Sequence, residues 1–148
     1  MTNLPADATL TTEGFAAVTG GRVLLLACGA LAREILAVKE SNGLNHLDLQ
    51  CLPAIYHNHP ERIIPAIEEL VAKHRADYDK IFVVYADCGT GGLLDEVCNR
   101  LNLTRIAGSH CYSFFAGEAE FNALAEEELG TFYLTDFLAR HFQTLIWE

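Results

Sequence analysis

Two unbroken apolar runs, Val23-Leu24-Leu25-Leu26-Ala27 and Ile81-Phe82-Val83-Val84-Tyr85, constrain this chain more than any other feature. A strand with one wet face alternates apolar and polar residues, whereas an unbroken run marks a strand buried on both faces. Each run is followed by glycine and then by helical spacing: Leu31, Ile35 and Val38 after the first, and Leu93, Leu94, Val97 and Leu101 after the second. Between them, residues 47–55 read as another strand, and Ile64, Ile67, Leu70, Val71 and His74 share one helical face. Pro65 fits only the first turn of that helix, which therefore starts near Ile64. Strands alternating with helices require right-handed crossovers and a parallel sheet. The expected fold is α/β, an open, mostly parallel, Rossmann-like sheet of four to five strands flanked by helices.

The remainder fills in this plan. Residues 56–63 form a loop longer than an ordinary strand-to-helix connection. Residues 104–107 read as a short fourth strand, 118–128 as a glutamate-rich helix and 131–134 as a fifth strand. Thr135 is placed to cap a last helix carrying Phe137, Leu138, His141, Phe142 and Leu145. Residues 1–20 are polar and threonine-rich and are expected as a flexible arm, leaving 21–148 as a single domain. The apolar ending Leu145-Ile146-Trp147-Glu148 leads to the expectation that native sequence continues past it, or that it meets a second copy of the chain.

A chain of 148 residues can bury about 68–70% of its unfolded surface. Neither disulfide nor metal is needed merely to hold it together. Twenty acidic residues against ten basic ones give a net charge of −10, opposite to what a nucleic-acid backbone attracts. No basic and apolar leader opens the chain, and no apolar run approaches the roughly 20 residues of a membrane helix. Five cysteines without a short-loop framework suit a reducing compartment, so the expected location is cytoplasmic. There, cysteines serve metals or catalysis more often than disulfides.

Three of the five fall where chemistry is expected. Ligands of open parallel sheets bind beyond the carboxyl ends of the strands. Cys28 in Ala27-Cys28-Gly29, Cys88 in Asp87-Cys88-Gly89 and Cys111 in His110-Cys111-Tyr112 all follow strands. Gly29 and Gly89 permit tight turns and let a ligand approach the backbone. Helix N-termini just beyond them are expected to favour the thiolates. Three thiolates converging on one point suit zinc or an iron–sulfur cluster, with one position left for substrate, water or a fourth residue. His57 and His59, in the long loop, and His110 are the candidate fourth ligands or acid–base groups. A cysteine's ordinary role is that of a small buried hydrophobe, and Cys51, within a strand, and Cys98, on an apolar helix face, are assigned that role. Gly89-Thr90-Gly91-Gly92 lacks both the dinucleotide glycine spacing and a P-loop lysine.

Taken together, Leu26-Ala27-Cys28-Gly29-Ala30-Leu31, Tyr85-Ala86-Asp87-Cys88-Gly89-Thr90-Gly91-Gly92, His110-Cys111-Tyr112 with Phe115-Ala116-Gly117, and Gly130-Thr131-Phe132-Tyr133-Leu134-Thr135-Asp136 resemble the family called domain of unknown function 1638 (DUF1638). The resemblance runs from about Val23 to the C-terminus. Members are often encoded near corrinoid-dependent methyltransferases, which implies by association a place in one-carbon or methyl-transfer metabolism and a methyltransferase-system protein as partner. The corrinoid-binding Asp-x-His-x-x-Gly pattern is absent from this chain.

The resulting expectation is a metal-binding protein using Cys28, Cys88 and Cys111, with a small molecule or cofactor as ligand and neither nucleic acid nor membrane as partner. The alternatives are a metal-free thiol enzyme of sulfur or acyl transfer, and a non-catalytic binding or assembly module, in which a homo-oligomer uses the C-terminal apolar cluster. No residue is assigned a catalytic role.

Overall fold

The computed structural model describes residues 3–147. Its centre is a five-stranded sheet built from β1 (Phe15–Ala17), β2 (Val23–Cys28), β3 (Leu47–Leu52), β4 (Lys80–Val84) and β5 (Thr104–Arg105), in the order β1-β3-β2-β4-β5. The last four strands run parallel, with Leu25 opposite both Leu49 and Phe82. Only β1 is antiparallel, lying along β3 with Ala16 opposite Gln50. The expected open, mostly parallel α/β sheet is therefore present.

The apolar runs form the two central strands, fully buried on one face and half-buried on the other. Leu24, Leu26, Ile81 and Val83 are buried on one side. By strand alternation Leu25, Phe82 and Val84 face the other. The first crossover, through α2 (Ala32–Ser41), leads from β2 outward to β3. The next two, through α3 (Ile63–His74) and α4 (Leu93–Arg100), lead in the opposite direction. Right-handed crossovers in opposite directions put α2 on one face and α3 with α4 on the other, and α3 and α4 do pack against each other. Ile63, Ile67 and Val71 of α3 and Leu94, Val97 and Cys98 of α4 are their buried residues.

The segment expected as an arm instead joins the core. Residues Asp7–Thr12 form α1, whose Leu10 is fully buried, and β1 supplies the fifth strand. Residues 131–134 are irregular rather than the expected strand. The interrupted polarity of the N-terminal stretch hid both elements, since a six-residue helix and a three-residue strand are too short to establish a period. The long loop after β3 contains two 3₁₀ turns, Ala54–Asn58 and Pro60–Arg62. After β5 come the short α5 (Ser113–Ala116), α6 (Glu118–Glu127) and α7 (Asp136–Arg140). Thr135 caps α7 as expected, its Oγ1 accepting from the Leu138 N–H at 3.2 Å. A π-helical turn, Gln143–Trp147, packs onto the 54–58 turn, where the Asn58 side-chain amide donates to the Thr144 carbonyl.

One carboxylate clamps the two ends of the chain together. Asp7 of α1 pairs with Arg33 of α2, with His141 Nε2 at 2.9 Å and with Arg140 Nε at 3.3 Å. His141 and Arg33, together with nearby positive charge, hold the Asp7 carboxyl down at about 2. Among the described residues no helix is long and apolar enough to cross a membrane.

Candidate functional site

The direction of the crossovers singles out one place on the sheet. β2 hands over to its neighbour β3 on one side, while the adjacent β4 hands over to β5 on the other. The two connections part there, leaving a crevice beyond the carboxyl ends of β2 and β4. Cys28 is the last residue of β2, and Cys88 lies four residues past the end of β4.

Backbone hydrogen bonds bring the third cysteine to the same crevice. The β4–β5 pairing continues past both strands: the Ile106 N–H donates to Val83, the Asp87 N–H to Gly108 at 3.1 Å, and the Cys88 N–H to Ser109 at 3.2 Å. The loop after β5 then turns through His110, with the Ser113 N–H and hydroxyl both donating to the His110 carbonyl. This turn carries Cys111 to within 3.1 Å of Cys88, sulfur to sulfur.

The loop holding Cys88 is organised by Asp87. Its carboxylate accepts from the Thr90 hydroxyl at 2.7 Å and from the N–H groups of Gly91 and Gly92 at 3.1 and 2.9 Å. Those bonds, led by the one from Thr90, hold the Asp87 carboxyl below its ordinary range. Turning the chain this tightly puts Cys88 at φ +49° and Gly89 at φ +82°. A left-handed cysteine is costly. Among the described residues only Asn102 shares that sign of φ without being glycine. Strain of this kind persists where surrounding contacts over-determine the backbone, as Asp87 and Ser109 do here.

Cys28, Cys88 and Cys111 line one pocket of about 240 Å³, together with Ala30, Leu31, His57, Gly89, His110, Tyr112, Thr135 and Leu138. Of the residues expected at the site, the three cysteines, His57, His110 and Gly89 meet there. His59 does not: its Nδ1 lies 3.4 Å from Glu61 Oε1. Gly29 does not line the pocket either. A Cβ at Gly29 would stand 2.4 Å from the Leu10 carbonyl oxygen and 3.0 Å from that of Leu52, so chain packing requires glycine there. Cys51 and Cys98 are buried in the core, as expected. Among the described residues no three His, Cys, Asp or Glu side chains already stand together as a metal cage. The Cys88–Cys111 pair is preformed, and Cys28 shares its pocket without completing such a cage.

Burial rather than a helix terminus governs the Cys28 thiol. It pushes Cys28 up to about 12, reinforced by Cys111 and partly offset by the Ala30 N–H and the Tyr85 hydroxyl. At Cys28 the expected lowering by a following helix is overridden. Contact with Cys88 raises Cys111 further, with burial adding to it, so the touching pair resists giving up its second proton. Burial also lowers His57, which favours a neutral imidazole with a free lone pair.

Several pocket residues were not singled out from sequence. Tyr112 bridges the pocket to an aromatic cluster, its ring centroid 5.6 Å from Tyr133 and 6.4 Å from Phe121. The Tyr85 hydroxyl is buried beneath the site, against Cys28, without a nitrogen or oxygen partner. Its position follows from alternation at the end of β4, a signal the sequence does carry. Thr135 and Leu138 arrive from α7, and no periodicity would have brought them here.

Fold and site define a Rossmann-like α/β protein with a cluster of free thiols at the sheet's switch point. The family model described as "Protein of unknown function (DUF1638)" matches residues 51–148, and the chain belongs to that family. Neither the curated proteins nor the solved structures contain a significant match.

Proposed function

We propose that Cys28, Cys88 and Cys111 bind a thiophilic metal, zinc or an iron–sulfur cluster, and that the remaining coordination position faces the pocket and takes a small molecule. The observation that carries this reading is the convergence of three thiols from three separate strand ends on one pocket, two of them in contact. His57 and His110 are the nitrogen donors within the same walls. Thiolates sharing one zinc at about 2.3 Å per bond stand roughly 3.5–4 Å apart. Loading therefore requires the 3.1 Å pair to open by about 0.5 Å and Cys28 to turn towards it. A metal would act there as a Lewis acid, binding and activating a thiol or another methyl acceptor. That chemistry suits an accessory role or an activity in methyl-transfer metabolism, alongside a methyltransferase-system protein.

Elemental analysis of protein purified without added metal and without oxygen tests this. The expected result is about one equivalent of zinc, or iron with matching sulfide. The content should fall in Cys28→Ser, Cys88→Ser and Cys111→Ser and persist in Cys98→Ser. Less than about a tenth of an equivalent of any transition metal, with all three thiols freely alkylated, would overturn the proposal.

A further inference from the structure

We propose that the Cys88–Cys111 pair is also a thiol–disulfide exchange centre, which reduces a small disulfide and closes into an intramolecular disulfide when no metal holds the two sulfurs apart. This shares with the preceding reading only the premise that the thiols face one pocket.

The pair is already most of the way to a bond. Its sulfurs are 3.1 Å apart, and a disulfide needs about 2.05 Å. The remaining 1 Å or so is within reach of side-chain rotation, because the two loops are held together by the Asp87-to-Gly108 and Cys88-to-Ser109 backbone bonds. Separation in sequence is no obstacle, since these bonds hold the two loops in place. Cys28 lacks that contact and is the most buried of the three.

The surroundings also distinguish the two sulfurs. Cys88 is followed by Gly89, where even an added Cβ would meet nothing nearer than Pro60 at 3.8 Å. Cys111 sits between His110 and Tyr112, whose rings lie 6.4 Å apart. A small disulfide therefore approaches Cys88 over the bare glycine. In the first step the Cys88 thiolate attacks one sulfur of R–S–S–R; a Cys88–S–S–R bond forms, the R–S bond breaks, and R–S⁻ leaves and takes up a proton. In the second, Cys111 gives its proton to solvent and its sulfur attacks Cys88 Sγ, releasing the second R–S⁻. The sum is two protein thiols and one R–S–S–R giving one protein disulfide and two R–SH. Two electrons pass from the pair to the small disulfide. Since exchange runs through a mixed disulfide, a thiol beside the attacked sulfur resolves it quickly.

Bond formation would take two of the three proposed metal ligands out of use. The centre is then either metallated or oxidised, never both.

The test uses the full chain, stripped of metal by a chelator and equilibrated without oxygen against buffers of reduced and oxidised glutathione. Alkylation followed by peptide mass mapping reads the outcome. The expected product is a single Cys88–Cys111 disulfide. Cys111→Ser should instead accumulate glutathione on Cys88, and Cys98→Ser, changed outside the pocket, should form the disulfide as the parent does. Stable glutathione on Cys88 in the parent protein, or a bridge involving Cys28, would overturn the proposal. A disulfide formed by a chain that binds no metal would leave this inference standing and remove the metal reading. Metal binding without any disulfide would do the reverse.

Discussion

Cys88 holds a backbone conformation that its own side chain opposes, and this separates its structural cost from its chemical use. At φ +49° a glycine would be more comfortable, by about 1 kcal/mol after allowing for its greater freedom in the unfolded chain. Cys88→Gly is therefore expected to raise the thermal midpoint by about 2–4 °C while abolishing both metal content and disulfide formation. Thermal unfolding followed by circular dichroism checks the first part. A fall in the midpoint would mean that the Cys88 side chain is retained for packing. Asp87 is the complementary case, since its carboxylate touches the Thr90 hydroxyl and two glycine N–H groups rather than any thiol. It positions Cys88 from behind. Neither role was visible from strand alternation, which says only that Asp87 and Cys88 point apart.

At the scale of elements, the legible parts of the fold were those with a repeating signal. The runs at β2 and β4, the period of α3 and α4 and the cap at Thr135 can be read directly, as can the placing of Cys28 and Cys88 at strand ends. The bond pattern that brings Cys111 to Cys88 cannot, because it belongs to irregular backbone beyond β4 and β5. The crowding of Gly29 by α1 is likewise a tertiary fact, and the pairing of His59 with Glu61 depends on how the irregular turn at Pro60 is shaped. The N-terminal segment is the largest departure. Polar composition suggested an arm, yet Leu10 lies fully buried and its carbonyl fills the space beside Gly29. Leu10→Ala is accordingly expected to cost about 2–5 kcal/mol, the range for emptying a buried leucine site. Denaturant unfolding measures it, and a change under about 0.5 kcal/mol, typical of a surface position, would return the segment to the status of an arm.

For the molecule as a whole, the Asp7 cluster joins the first helix to the last, and α7 supplies Thr135 and Leu138 to the thiol pocket. The stability of the pocket's outer wall is thereby linked to protonation. Asp7 titrates at about 2 in the folded chain against 3.8 for a free carboxyl. A lowered carboxyl contributes stability that is complete above the unfolded value and is lost as pH falls through the folded one. Asp7→Asn is therefore expected to lower the midpoint at neutral pH by a few degrees, for pairs worth about 1 kcal/mol. The difference from the parent should shrink between pH 4 and pH 2. An undiminished difference in acid would show that the clamp acts through shape rather than charge.

The central claim is that three thiols at the switch point between β2 and β4 act on one metal. Metal-edge X-ray absorption on anaerobically purified protein counts the sulfur neighbours directly. For zinc the account predicts three sulfur neighbours near 2.3 Å, with two around the metal that Cys28→Ser retains and a lighter atom or none in the vacated position; for a cluster, whose irons keep their sulfides, it predicts loss of iron together with sulfide in Cys28→Ser. Fewer than two sulfur neighbours in the parent, or a count unchanged by removing Cys28, would contradict it.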